Sequence, residues 1–436
     1  MNLWTYLVGK MRAYRDSIAF PELNMTYSDI LAFPTGKDIG KLRICEAKTR
    51  AEQAVEILKS IAAGTVSVPV THEYGESRYQ MICRTIVNDR ERYDDFAFIL
   101  FTSGTTGEPK GIMLTHENVI TNLEYILTYF QLSGAERICI GRPLVHSAVL
   151  VGELLYGLIN GKSIYFYEEP FMPHRLAQYL QDNRIDVFCA TPTVYNFLAE
   201  TNAKLSIGIG VISGERLVAD MALKIASRFR QVKFYHVYGL TEHSPRVSAL
   251  LPEEFTFKAG SIGKPIGQVQ MKLESGELLV KSRCVMRGYY RTETENIKDG
   301  WLYTGDMAHT DRDGYYYIDG RKDELIIRAG VNIYPQEIEN VVRSYAGIEE
   351  CQAYGIADER FGQAIGLRYR GEVDEKYLRK YLTENLPPYL CPTKYESNYH
   401  FEYTPSGKTI RKKDEYQDGN IADRQSIGTQ RKNKRM

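Results

Sequence analysis

The chain carries no excess of either charge: 55 Lys and Arg stand against 55 Asp and Glu over 436 residues. A balanced surface offers no long-range pull on nucleic acid or on an anionic membrane, so neither is an expected partner. No C-x-x-C occurs among the seven cysteines, which are odd in number and scattered from Cys45 to Cys391. That argues against a disulfide framework and a structural zinc site, and it fits a reducing compartment. No stretch reaches the roughly 18–20 apolar residues of a membrane span. Lys10, Arg12 and Arg15 interrupt any apolar core near the N-terminus, unlike a secretory leader. The expected location is the cytoplasm. Internal repeats are lacking too, and the basic run Arg431–Arg435 reads as a solvated, frayed tail.

What is present is concentrated in ten residues, Thr102-Ser103-Gly104-Thr105-Thr106-Gly107-Glu108-Pro109-Lys110-Gly111. They follow the apolar run Phe96–Phe101, which predicts a buried strand. They precede Thr115, which can cap a helix bearing Val119, Leu123, Ile126, Leu127 and Phe130 at helical spacing. Strand, loop, then helix is a context in which a loop wraps a phosphate chain. Glycines admit backbone N–H groups, hydroxyls add donors and Lys110 adds charge. The spacing is not that of a G-x-x-x-x-G-K-[ST] loop, because Pro109 and Lys110 come after the second glycine and no hydroxyl follows the lysine.

From Phe96 to about Gly320, apolar runs (185–190, 207–212, 232–237) alternate with helical stretches (175–184, 217–228). Such alternation predicts a parallel sheet with ligands at the carboxyl ends of its strands, where the loops 102–111, 213–216 and 238–244 would share one rim. Between Ser261 and Asp319 the runs shorten and glycines mark corners, which predicts a twisted, barrel-like piece. The expected division is a large domain over 1–320, a small α+β domain over 321–413 with helices at 335–345 and 375–386, and a disordered tail over 414–436.

The ten-residue run resembles the T-S-G-T-T-G-x-P-K-G signature of the acyl-adenylate-forming superfamily, which includes acyl-CoA synthetases, adenylation domains and beetle luciferases. Further motifs follow in the order of that family. Tyr238-Gly239-Leu240-Thr241-Glu242 is similar to its Y-G-x-T-E, and Ser213-Gly214-Glu215-Arg216 to its G-G/S-E segment. Tyr303-Thr304-Gly305-Asp306 resembles T-G-D. Asp319-Gly320-Arg321-Lys322-Asp323 resembles the domain junction, and Pro405-Ser406-Gly407-Lys408 the last motif.

The resemblance implies ATP and Mg²⁺ as cofactors, with the nucleotide held by Thr102, Ser103, Gly104, Thr105, Thr106, Gly107 and Lys110. It implies further nucleotide contacts from Gly214, Glu215, Arg216, His236, Val237, Tyr238 and Gly239, from Asp306 at the ribose, and from Arg321 at the ribose or α-phosphate. Lys408, Thr241, Glu242 and His146 would act in catalysis, with Glu242 and Thr106 serving the metal. Asp323 would be the hinge of a mobile small domain, and Gly330 would lie on the loop meeting a phosphopantetheine arm. A positioned ammonium and a cation are what the attack of one anion on another needs, since both neutralise the charge that develops.

The implied activity is ATP-dependent conversion of a carboxylic acid to its acyl-adenylate and then to a CoA thioester. Loading of a carrier-protein phosphopantetheine is the alternative, and a catalytically silent binding module is a second one. Ala148 stands where amino-acid-activating relatives place an Asp, so the acid is expected to lack an α-amino group, whose charge would otherwise be buried unpaired. The glycine-rich loop also begins earlier than in the family at large. One strand–helix unit is expected to be missing near Arg84–Asp94, leaving an edge there for a homodimer or a carrier protein.

Overall fold

In the computed structural model, residues 1–103, 109–201, 204–358 and 360–401 are described. The expectations for Gly104, Thr105, Thr106, Gly107 and Lys408, and for the tail, lie outside them. The chain forms two compact units, one of Met1–Thr304 with Ala308–Ile318, the other of Gly305–Met307 with the chain from Asp319 onward.

The first unit is built on three larger sheets, beside a two-stranded pair of Ile18–Phe20 with Met25–Thr26. The largest has seven strands in the order Lys264–Pro265, Arg246–Leu250, Lys233–Gly239, Ile209–Ile212, Val187–Ala190, Arg137–Ile140 and Ser163–Phe166. Its five central and far strands run parallel, as their continuous apolar runs require when helices cover both faces. Arg246–Leu250 turns back antiparallel on Lys233–Gly239. The register sets Gly239 opposite Arg246, so the segment between them closes as a tight loop at the strands' carboxyl rim.

The second sheet pairs Leu42–Cys45, Val66–Pro69 and Phe96–Ser103 in parallel, then Pro109–Thr115 and Gly288–Tyr289 antiparallel. This corrects the expected strand–loop–helix order. Pro109, Lys110 and Gly111 already belong to a strand that pairs back on Phe96–Ser103, with Thr102 opposite Lys110. The helix begins only at His116, where Thr115 and Asn118 form a reciprocal capping box. The glycine-rich segment therefore joins two antiparallel strands. It also belongs to a different sheet from the loops 213–216 and 238–244.

The third sheet orders Gln270–Glu274, Glu277–Lys281, Trp301–Thr310 and Ile297–Lys298, with Tyr316–Arg321 also paired to Trp301–Thr310. It is open, so the barrel-like expectation is corrected: the glycines at its corners serve hairpins without closing the sheet. Helix Glu76–Val87 completes a crossover between adjacent parallel strands. The segment after it is tied down by Asp89, which accepts from Tyr93 at 2.8 Å and from Tyr290 and pairs with Arg291 at 3.1 Å.

The second unit has its own core of Ile326, Ile333, Ile338, Val342, Leu367, Leu378 and Leu382. Strands Ile348–Asp358 and Gly362–Gly371 pair antiparallel, Lys394–Glu396 joins in parallel, and helices Pro335–Arg343 and Glu375–Asn385 pack on that core. A two-residue hairpin turn at Ala329 and Gly330, with φ of 52° and 81°, links Ile326–Arg328 to Val331–Ile333. Among the described residues no helix is long and apolar enough to cross a membrane.

Candidate active site

The loop between Gly239 and Arg246 carries two of the expected residues, Thr241 and Glu242. It folds back so closely that a Cβ on Gly239 would lie 2.2 Å from the Pro245 carbonyl oxygen, which leaves only glycine there. Thr241–His243 forms one 3-10 turn, and its outer residues are braced from several sides. Asn122, on helix His116–Tyr129, donates to the carbonyls of His243 and Arg246 and accepts from the Arg246 N–H. His243 points inward. Its Nδ1–H donates to the Arg246 carbonyl at 2.9 Å, so the neutral ring accepts at Nε2 from the Ser282 hydroxyl at 2.7 Å. Burial pushes His243 down to about 4.

With the underside fixed in this way, the Thr241 hydroxyl meets Ser147 at 3.1 Å, directly after His146 in the segment Pro143-Leu144-Val145-His146. The Glu242 carboxylate accepts from Tyr289 at 3.3 Å, and the Glu242 carbonyl accepts from the Met286 N–H at 2.7 Å. Asn296 donates to the same Tyr289 hydroxyl at 3.1 Å. Tyr289 sits opposite Ile112 in the second sheet, and the Lys110 ammonium lies 5.3 Å from its ring centre. Tyr289 thus joins the Lys110 strand to the Thr241–Glu242 turn. Sequence reasoning missed it because its role depends on a pairing between residues far apart in the chain.

The donor set suits a divalent oxygen-loving cation. One half-buried carboxylate with a neighbouring hydroxyl matches Mg²⁺, which keeps several waters and takes phosphate oxygens to complete an octahedron. No cluster of three or more His, Cys, Asp or Glu able to hold a metal unaided occurs among the described residues.

Other expected residues fall around this turn with more varied surroundings. Tyr238 is half-buried, whereas Val237 and His236 are buried in the same strand. His236 donates from Nδ1 to the Ser261 carbonyl at 2.6 Å, and burial lowers it to about 4, so it is a neutral, enclosed ring. Gly214 takes a φ of 93°, and Glu215 accepts from the Thr193 hydroxyl at 2.6 Å. Arg216 is exposed. Ser213 lies beside Arg142, whose guanidinium forms an ion pair at 2.5 Å with the fully buried Glu153.

In the second unit, Asp306 is buried and accepts from Arg321 at 3.0 Å, while Arg321 also reaches Asp323 at 3.3 Å. Burial works against the guanidinium's charge, but the carboxylates of Asp306 and Asp323 outweigh it and hold Arg321 charged. Gly305, with a φ of 73°, makes room: a Cβ there would stand 2.9 Å from the guanidinium. Asp323 is exposed in the 3-10 turn Lys322–Glu324, and Gly330 is exposed with open space around it.

Comparison with known proteins adds independent support. A family model described as AMP-binding enzyme matches residues 52–290. A feruloyl-CoA synthase of Amycolatopsis sp is 32% identical over 342 residues, covering 73% of this chain and 69% of the relative. A long-chain-fatty-acid–CoA ligase of Bacillus subtilis is 31% identical over 350 residues, covering 73% of this chain and 61% of the relative. An o-succinylbenzoate coenzyme A synthetase from Bacillus subtilis, solved in complex with ATP and magnesium ion, shares the fold with a TM-score of 0.79. It is 22% identical, and the match covers 94% of this chain and 98% of that one. The braced Thr241–Glu242 turn lies within the matched span, and the chain belongs to the AMP-binding enzyme family.

Proposed function

We propose that the protein activates a carboxylic acid with ATP, R-COO⁻ + ATP → R-CO-AMP + PPi, and then transfers the acyl group to the thiol of coenzyme A with release of AMP. The single observation that carries this reading is the Thr241–Glu242 turn, braced by Ser147, His243, Asn122 and Tyr289 beside Lys110. Pre-set groups of this kind need little rearrangement as charge develops, which is where catalysis gains most.

In this reading the Thr241 hydroxyl donates to the α-phosphate and Glu242 holds Mg²⁺, which neutralises phosphate charge when bound. Lys110 and the 102–107 segment bind the remaining phosphates, and Tyr238 and Gly214–Arg216 flank the adenine. Asp306 accepts from the ribose hydroxyls, with Arg321 orienting its carboxylate. Lys408 supplies the ammonium for adenylation, and the second unit turns about Asp323 to bring the Gly330 loop to the thiol step. Ala148 offers no carboxylate for an α-ammonium, and Glu153, on the same helical stretch, is already paired with Arg142. The acid is accordingly one without an α-amino group.

The test is acid-dependent pyrophosphate release, with hydroxylamine trapping of the acyl-adenylate and a panel of aryl, short-chain and medium-chain acids. Thioester formation with free coenzyme A then separates this reading from carrier loading, in which only a phosphopantetheinyl protein would accept the acyl group. Absence of pyrophosphate release with every acid would leave a silent nucleotide-binding module.

A further inference from the structure

Four charges from four separate elements meet under the carboxyl rim of the seven-stranded sheet. Arg142 follows strand Arg137–Ile140, Glu153 lies in the wholly buried segment Leu150–Leu155, Glu215 belongs to the loop after Ile209–Ile212, and Arg246 heads strand Arg246–Leu250. Glu153 feels both guanidinium groups, and Arg142 feels both carboxylates. The segment Leu150–Leu155 is wound as a π-helix, whose i→i+5 bonding turns side chains off the α-helical frame and recurs at functional sites. It carries Glu153 to Arg142, and it sets bare Gly152 against Arg246, where a Cβ would stand 2.8 Å from Nη2.

Arg142 joins this set to the rim. Its Nη2 donates to Glu153 at 2.5 Å and to the Ser213 hydroxyl at 3.2 Å, and its Nη1 to the Ser213 carbonyl at 3.4 Å. Gly214 comes next, with a φ of 93°, and a Cβ there would stand 3.2 Å from Nη1, so the peptide rests directly on the guanidinium. On the other side Glu215 accepts from the Thr193 N–H at 3.3 Å and from its hydroxyl at 2.6 Å, at the start of helix Pro192–Glu200. Ser213–Glu215 is therefore clamped between a helix start and a guanidinium that a buried carboxylate holds. Three valences in the network go unused: Arg142 Nε, Glu153 Oε2 and Glu215 Oε1 are buried without a hydrogen-bond partner among the described residues. A buried ion pair satisfied only in part adds little stability over packed apolar side chains. What it supplies is direction, because a planar guanidinium fixes its partners at set angles.

We propose that Arg142 is a positioning residue for the nucleotide, anchored by Glu153 so that its guanidinium sets Ser213–Glu215 at the height needed to flank the adenine. This rests on the adenylation reading above, in which Gly214–Arg216 line the base. Arg142 and Glu153 act on the nucleotide only through the peptide of Ser213 and Gly214. Ser147, just ahead of the π-helical segment, meets the Thr241 hydroxyl. One helical stretch thus supports the adenine wall through Glu153 and the Thr241–Glu242 turn through Ser147, which keeps the two rim loops in step.

The experiment follows ATP affinity by calorimetry in the presence of Mg²⁺, ATP–pyrophosphate exchange and the thermal unfolding midpoint, all on the full chain. Arg142→Met combined with Glu153→Met replaces the pair by apolar side chains, so the midpoint should hold or rise. ATP affinity should nevertheless fall roughly 10-fold or more, and KM for ATP should rise in step, while KM for the acid stays within about threefold. Arg142→Lys keeps the charge without the fork and should fall between wild type and the double variant. Ser213→Ala leaves the ion pair intact, removes one of its contacts to the segment, and should weaken ATP binding by about threefold. A double variant that loses stability but binds ATP as the wild type does confines the pair to folding and overturns the proposal. Should the double variant not fold, unchanged ATP affinity in both Arg142→Lys and Ser213→Ala overturns it. A wild-type protein that binds ATP but exchanges pyrophosphate with no acid overturns the adenylation reading, and the affinity comparison still decides the role of Arg142.

Discussion

Tyr289 touches both sides of the proposed phosphate site, holding the Glu242 carboxylate through its hydroxyl while its ring faces Lys110. Tyr289→Phe keeps the ring and removes the donor, so Glu242 loses one restraint and the ring–ammonium contact stays. The Mg²⁺ concentration needed for half-maximal pyrophosphate exchange should rise about threefold to tenfold, the effect of one modest hydrogen bond to a charged group. Titrating Mg²⁺ against exchange rate checks it, and an unchanged titration would separate Tyr289 from the metal site. Asp306→Asn tests the ribose assignment. It weakens a charge-assisted contact worth about 1.5–3 kcal/mol, so nucleotide affinity by calorimetry should fall roughly 10- to 100-fold. Glu242 and Asp306 stand out in the sequence as candidates because each sits inside a short run of fixed spacing. Tyr289 does not, because Gly288–Tyr289 acquires its neighbours only by pairing with the strand of Lys110.

Helix His116–Tyr129 carries Asn122 to the Thr241–Glu242 turn, and its start is fixed by Thr115 and Asn118. Thr115→Ala should cost about 1 kcal/mol, the usual loss for an N-cap hydroxyl, seen as a lower thermal unfolding midpoint with the family's chemistry otherwise retained. Gly263→Ala should cost more. Its φ is 78°, and a Cβ would stand 1.9 Å from the Ala249 carbonyl oxygen, against the strand that carries Arg246. Strand and helix identities over 175–237 were readable because apolar runs of four to six residues alternate with helical spacing, and their ends shifted by only a few residues. The hairpin after the glycine-rich segment was hidden. Pro109 and Gly111 look like turn residues, and only the register with Phe101 and Ser103 shows them as strand. Corner glycines over 261–319 likewise mark hairpins as readily as barrel bends, and sheet closure is a long-range property that spacing does not encode.

Across the whole molecule, two enclosed imidazoles make stability depend on acidity. His236 and His243 both sit near 4 in the folded chain, whereas a free imidazole titrates near 6.5. Between these values the unfolded chain binds the extra protons, so their stabilising effect is complete above about pH 6.5 and is lost as pH falls toward 4. At pH 5 the loss should be roughly 2 kcal/mol for each ring relative to pH 7. Urea midpoints measured at both pH values check this, and His236→Gln or His243→Gln should each flatten part of the difference.

The route of the chain between its two units has a practical side. Strand Trp301–Thr310 lends residues 305–307 to the second unit before the chain returns to the first for 308–318. Asp306 is therefore encoded upstream of any single splice point at which the second unit might be exchanged. A chimaera joined at Asp319 would match a donor's arginine to a recipient's aspartate, with Gly305 from the recipient deciding whether the guanidinium fits. Natural recombination faces the same constraint, and viable crossovers should cluster upstream of Gly305, where the Gly305–Asp306–Arg321 set travels intact.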